Sequence, residues 1–189
     1  MKNNLILKGN CEVKNFKLIE NLNDNTIKVC WDFNEIMKDE TVFKNSAFVP
    51  TGRKISTGNG TYKFTTFDKK NVNINKIKSV ILNYFNDKIK DAILRGFVWN
   101  GYNVWLSSEN QKNYSDWYVC SKDSDRIFPL TAKFSKNGNI IYYEFNSHSE
   151  VADLYENMIK HINKVVNENR KQKDKIDWAE YETLLNNTK

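Results

Sequence analysis

The stretch Gly96–Tyr114 constrains the fold most, because apolar and polar residues alternate on both sides of Asn100-Gly101 and a capped helix follows at once. Asn-Gly accepts positive φ at both central positions of a type I′ turn, whose twist matches that of two antiparallel strands. Ser107 and Ser108 then supply capping oxygens. Ser108 with Gln111 three positions on fits a capping box, so a helix is expected from Ser108 to Cys120. Any fold for this chain must carry a tight hairpin that runs straight into a helix. The segment holds no nucleophile–base pair and no metal-ligand cluster, so its value is architectural.

The same reading organises the chain on either side. Asn73 opens a helix in which Ile74, Ile77, Ile81, Tyr84, Phe85, Ile89, Ala92 and Ile93 recur at helical spacing, closed by Arg95-Gly96. A second hairpin, Leu130–Phe145, turns at Asn137-Gly138. Ser147 and Glu150 form a capping box before Val151, Leu154, Tyr155, Met158, Ile162, Val165 and Val166, an apolar stripe on a helix of about twenty residues. Glu168–Lys175 is expected to fray into a connector, and Asp177 to cap a short last helix carrying Tyr181, Leu184 and Leu185. Upstream, Leu5–Leu7, Cys11–Ile19, Thr26–Phe33 and Thr61–Phe67 read as strands, with Ile27, Val29 and Trp31 on one face. Val42-Phe43 and Ala47–Val49 suggest a further strand, while Pro50–Gly60 has the composition of an exposed loop. The fold class expected is α+β: an N-terminal antiparallel β region over 1–71, with a loop near 50–60, then a mixed domain over 72–189 of order α-ββ-α-ββ-α-α. Two hairpins each followed by a capped helix suggest a ββα pseudo-repeat, although the two sequences match poorly.

Composition narrows the function classes. Of the 189 residues, 40% are apolar and 13% aromatic, enough for a core in one compact domain or one with a small partner. No apolar run approaches the roughly 18 residues of a membrane span. The Leu5–Leu7 patch is too short for a signal peptide, so action in the compartment of synthesis is expected. Cys11, Cys30 and Cys120 are odd in number and widely spaced, which points to reduced thiols rather than a disulfide framework or a zinc site.

Chemistry-bearing motifs fail one by one. In G-R-K-I-S-T-G-N-G-T the Lys stands on the wrong side of the glycines for a phosphate loop, and no G-x-G-x-x-G opens a helix. His148 and His161 lie thirteen residues apart on one helix and cannot share a metal through it. Asp32, Glu35 and Asp116 form no convincing carboxylate pair, Ser107, Ser108 and Ser115 lack a nucleophile elbow, and Cys120 has no His near it in sequence. No catalytic, metal or cofactor site is expected. The crowding of Trp99, Tyr102, Trp105, Tyr114, Trp117 and Tyr118 is first of all the demand of a small α/β core for large side chains.

What remains is charge. The net charge is +6, and residues 51–90 hold nine basic against two acidic side chains, an excess larger than that of the whole chain. Arg53, Lys54, Lys63, Lys69 and Lys70 are the candidates to face an acidic protein surface or DNA, against the plainer reading of a solvated Lys-rich surface.

One resemblance emerges from these elements. The run Ile89-x-x-x-Ile93-Leu94-x-Gly96-Phe97-x-x-Asn100-Gly101, followed by Trp105-Leu106-Ser107-Ser108-Glu109-Asn110-Gln111-x-Asn113-Tyr114, resembles an uncharacterised domain of tailed-phage virion and tail proteins. Versions of that domain occur in phages and prophages of Bacteroidales, crAss-like phages included. Leu130–Phe134 and Asp177-Trp178-x-x-Tyr181-Glu182 look similar as well, so the likeness spans about residues 75–187 and leaves the N-terminal β region unmatched. The resemblance implies no active site. It implies a structural role in the virion, made in the host bacterial cytoplasm: a head–tail connector or tail ring subunit that packs against copies of itself and against portal, connector or tail proteins. A tail-fibre assembly chaperone and a basic nucleic-acid-binding accessory protein are the alternatives.

Overall fold

A computed structural model describes residues 5–44, 47–123 and 125–188 and resolves the chain into two compact units. One joins Met1–Ile81 to Asp177–Lys189, and the other is Leu82–Ile176. The element order is the expected α+β one, an antiparallel β region and then α-ββ-α-ββ-α-α. The division differs from the expected 71/72 boundary. The first long helix, α1 (Ile74–Arg95), runs through it, and the last helix returns to the N-terminal sheet.

In the first unit, four antiparallel strands stand in the order β1-β4-β3-β2: β1 (Leu7–Glu12), β2 (Ile19–Asn21), β3 (Thr26–Lys44) and β4 (Ala47–Asp68). Ile27, Val29 and Trp31 are buried as their alternation requires, and Phe67 and, on α1, Ile77 and Ile81 are buried in the same unit. The closing helix α4 (Trp178–Asn186) is capped by Asp177, whose Oδ1 accepts from the amides of Ala179 and Glu180 at 3.0 Å each. It packs against β2 and buries Tyr181 and Leu185. The Tyr181 hydroxyl donates to the Cys30 carbonyl across 151 residues of sequence, and the Lys78 ammonium lies 5.7 Å over the Trp178 ring. Burial pushes the Cys30 thiol up to about 12, so it packs as a small apolar group while Cys120 lies exposed.

In the second unit, β5 (Phe97–Trp99), β6 (Tyr102–Val104), β7 (Leu130–Lys136) and β8 (Asn139–Phe145) form a meander in that order. Both Asn-Gly turns take the expected conformation, with φ of 48° and 79° at Asn100 and Gly101 and of 51° and 81° at Asn137 and Gly138. Helices α2 (Ser108–Ser121) and α3 (His148–Asp174) pack on one another and supply Tyr114, Val151, Leu154 and Met158 to a core shared with Trp99, Val104, Leu106, Phe134 and Phe145. The cap of α2 is Ser107 rather than Ser108: its hydroxyl accepts from the Asn110 amide at 3.1 Å, and Gln111 instead donates to the Leu106 carbonyl. The helix itself starts at Ser108, as expected, and Leu106 just before the cap is fully buried. Helix α3 continues through the expected connector at 168–175, because Val165 and Asn169 are buried there and Lys173 and Gln172 bond to Asn86 and Lys88 of α1.

Tyr114 gives this unit a pH limit. Burial pushes its phenol up to about 12 from the ordinary 10.0, so the folded unit holds the neutral form. The contribution is complete below pH 10 and is lost as pH rises towards about 12. A series of denaturant midpoints between pH 9 and 12 is therefore expected to fall, and to fall less steeply in Tyr114→Phe; equal slopes would refute the assignment.

Candidate functional site

The first unit carries its most distinctive feature beyond its core. Strands β3 and β4 span 19 and 22 residues, against three to seven in every other strand. β2 pairs only with Ile27–Val29 of β3, and β1 only with Asn59–Phe64 of β4. Among the described residues, no strand flanks the hairpin past these points, so from Ile36 it continues as a two-stranded ribbon. At about 3.3 Å per residue, Ile36 to Lys44 is an arm of roughly 30 Å. The expected loop at 50–60 is thus a strand within this arm, and the separate strands expected at 26–33 and 42–43 are one.

Three bulges shape the arm. At its root, Asp32 and Phe33 of β3 oppose the single residue Tyr62, with Asp32 at φ 50°. Phe33 lies over Gly60 and meets the Phe16 ring, tilted, at 4.5 Å between centroids, which anchors the root in an aromatic cluster with Tyr62. The other two bulges lie in β4 and repeat one sequence six residues apart, Thr51-Gly52-Arg53 and Thr57-Gly58-Asn59. In each, the threonine hydroxyl donates across the ribbon to a carbonyl, of Glu40 at 3.2 Å and of Ile36 at 2.7 Å. It also accepts from the amide two residues on, of Arg53 at 3.3 Å and of Asn59 at 3.4 Å. The glycines between, at φ 78° and 75°, adopt a backbone that other residues resist. Bulges of this kind increase twist and interrupt an otherwise flat edge.

The arm is amphipathic without a core of its own. Lys38 opposes Ile55 and Val42 opposes Val49, so these residues and Ile36 share one face of the ribbon. Ile36, Val42 and Val49 are 43%, 37% and 43% exposed, and Met37 on the other face 47%. Covering what is left exposed would contribute on the order of 3–4 kcal/mol per arm. A lone two-stranded hairpin is marginal in water, and an extended apolar ribbon is a surface on which another chain docks. Deleting residues 36–57 and closing the strands with Asn-Gly is expected to leave the thermal midpoint of the purified protein within 2–3 °C of wild type, since none of the described side chains of the arm is buried. A fall of ten degrees or more would show that the arm supports the sheet beneath it.

The predicted basic residues are not brought together. Arg53 and Lys54 lie on the arm, Lys63 is half-buried in β4 opposite Trp31 and Lys8, and Lys69 and Lys70 sit in the turn after Asp68. Along the strand, roughly 50 Å separates Arg53 from Lys69, and Lys54 is paired to Asp39 at 2.6 Å. Sequence reasoning missed the acidic and apolar half of the arm: Ile36, Asp39, Glu40, Val42 and Val49. The signals for it were Val42-Phe43 and Ala47–Val49, which suggested a strand, and the repeated Thr-Gly dipeptide, which had the look of a loop.

The chemistry elsewhere is sparse. The Ser121 hydroxyl and His148 Nδ1 are 2.8 Å apart, but Ser121 is 2% exposed and the Tyr118 ring packs at 5.5 Å from the imidazole, so the pair ties α2 to the start of α3 without access for a substrate. Among the described residues, no group of three or more His, Cys, Asp and Glu could hold a metal ion, and no helix is long and apolar enough to cross a membrane. Comparison with protein-family models, with curated proteins and with solved structures finds no match for this chain.

Proposed function

We propose that this chain is a non-enzymatic structural subunit of a tailed-phage particle, a head–tail connector or tail ring component that works by protein–protein packing through its β-arm. One observation carries the reading: a hairpin of 19 and 22 residues in whose distal half none of the described side chains is buried and Ile36, Met37, Val42 and Val49 are exposed. Such an element has a purpose only where another surface covers it. The resemblance of residues 75–187 to a virion domain supports the setting. Copies of this chain and neighbouring portal, connector or tail proteins are the partners this role requires. A DNA-binding role is less well supported, since the basic residues are spread along β4 instead of forming a patch.

Mass spectrometry of purified particles tests the proposal. The chain is expected in complete particles at a fixed ratio to the portal protein. Its presence in infected-cell lysate but not in finished particles would overturn the structural role in favour of an assembly chaperone.

A further inference from the structure

The two edges that the hairpin leaves free carry opposite charge. From Asp32 to Lys44, β3 holds Asp32, Glu35, Asp39 and Glu40 against Lys38 and Lys44, a net charge of −2. From Ala47 to Gly58, where β1 no longer pairs, β4 holds Arg53 and Lys54 and no acid, a net charge of +2. Each strand also forms one free edge of the ribbon among the described residues, β3 on the side where β2 has ended and β4 on the side where β1 has ended. An edge of unpaired amides and carbonyls is a template for another strand.

We infer that the occupant of each edge is the arm of a second copy of this chain, joined β3 edge to β4 edge. The inference rests on the reading of the arm as the assembly element and names its partner. Because β3 and β4 run in opposite directions, arms that point the same way meet as antiparallel strands, the better-bonded kind of pair. Side chains of the two copies then face one another across the new edge, Asp39 and Glu40 of one beside the Arg53–Lys54 stretch of the next. Pairing β3 with β3, or β4 with β4, sets like charges opposite one another and is disfavoured. The contact is therefore heterologous: each copy offers a different edge to each neighbour, and repetition by rotation closes a ring. The Thr-Gly bulges of β4 add the twist by which a ribbon departs from a flat, open-ended sheet.

Native mass measurements on the full chain across a dilution series test this. Wild type is expected at a multiple of 22.3 kDa, with the multiple dissociating as salt is raised. Asp39→Lys with Glu40→Lys makes both edges +2, and Arg53→Glu with Lys54→Glu makes both −2; each variant alone is expected at 22.3 kDa. Mixed one to one, the two are expected to return to the multimeric mass. Each arm in that mixture still carries like charges within itself, so only pairing between copies restores assembly, and an unfolded variant would not be rescued. A chain carrying all four substitutions, with the signs of its edges exchanged, is expected to assemble alone. A mixture that stays at the monomer mass while wild type assembles would overturn the edge pairing, as would a wild type that is monomeric throughout. In either of those cases, particles grown with the chain lacking 36–57 decide the wider reading. Exclusion of the shortened chain would leave the arm docking on a different protein, and its normal incorporation would remove the assembly role as well.

Discussion

Gly96→Ala is expected to destabilise the Leu82–Ile176 unit by at least about 3 kcal/mol. Gly96 ends α1 at φ 74°, and its amide donates to the Ile93 carbonyl at 2.9 Å. Left-handed backbone alone costs a residue with a side chain about 1–2 kcal/mol. The larger effect is steric. A Cβ at Gly96 would stand 1.7 Å from the Val104 carbonyl oxygen and 2.8 Å from its carbon, and these are backbone atoms of β6 that cannot swing aside. Val104 is fully buried and pairs with Phe97, so moving it breaks the hairpin and the core together. Gly101→Ala is the control. Gly101 has φ 79° with nothing within 4 Å of the added carbon, so it bears only the backbone cost. Urea unfolding followed by near-ultraviolet circular dichroism separates the two, and equal losses at both positions would contradict the steric account.

Trp99→Ala is expected to cost about 3–5 kcal/mol in the same unit. The indole is 4% exposed and meets the rings of Phe134, Tyr143 and Phe145 at 5.9, 5.3 and 5.7 Å between centroids. Its Nε1 also donates to Asp153 Oδ2 at 2.7 Å, which ties the sheet to α3. Trp99→Phe retains much of the apolar contact and leaves an exposed carboxylate to water, so a smaller loss of about 0.5–1.5 kcal/mol is expected. Denaturant midpoints of the two variants divide packing from hydrogen bonding; a Phe variant as damaged as the Ala variant would assign the whole effect to the Asp153 bond.

The second unit was legible in the sequence because its determinants are local. Two Asn-Gly turns fix two hairpins whatever surrounds them, and α1 and α3 repeat apolar residues at the period of a helix that has a core to face. Even the misplaced cap of α2 was wrong by a single residue. The arm was illegible for the complementary reason. Strand alternation is a record of one buried face, and from Glu35 to Ser56 the described residues have no buried face to record. Pro50, Gly52, Gly58 and Gly60 have the composition of a loop, yet in the fold they are the bulges and the aromatic contact of a strand. The basic cluster misled in its own way, since nearness along an extended strand is distance in space. The return of α4 to β2 was also beyond a local reading, because nothing within Asp177–Glu182 names its partner Cys30.

That return has a consequence for the order of synthesis. The strands of the first unit are complete once Asp68 is made, but the helix that covers β2 begins at Trp178, roughly 110 residues later and about 5–20 s at the usual pace of translation. The second unit is one unbroken stretch of chain and folds within that interval. The arm-bearing unit is therefore the last part of the described chain to be finished, although its strands are the first to emerge. Until α4 arrives, the Cys30 carbonyl lacks its Tyr181 donor and the base on which the arm stands is incomplete. A nascent chain of this design therefore completes the base of its arm only after the whole second unit has been made.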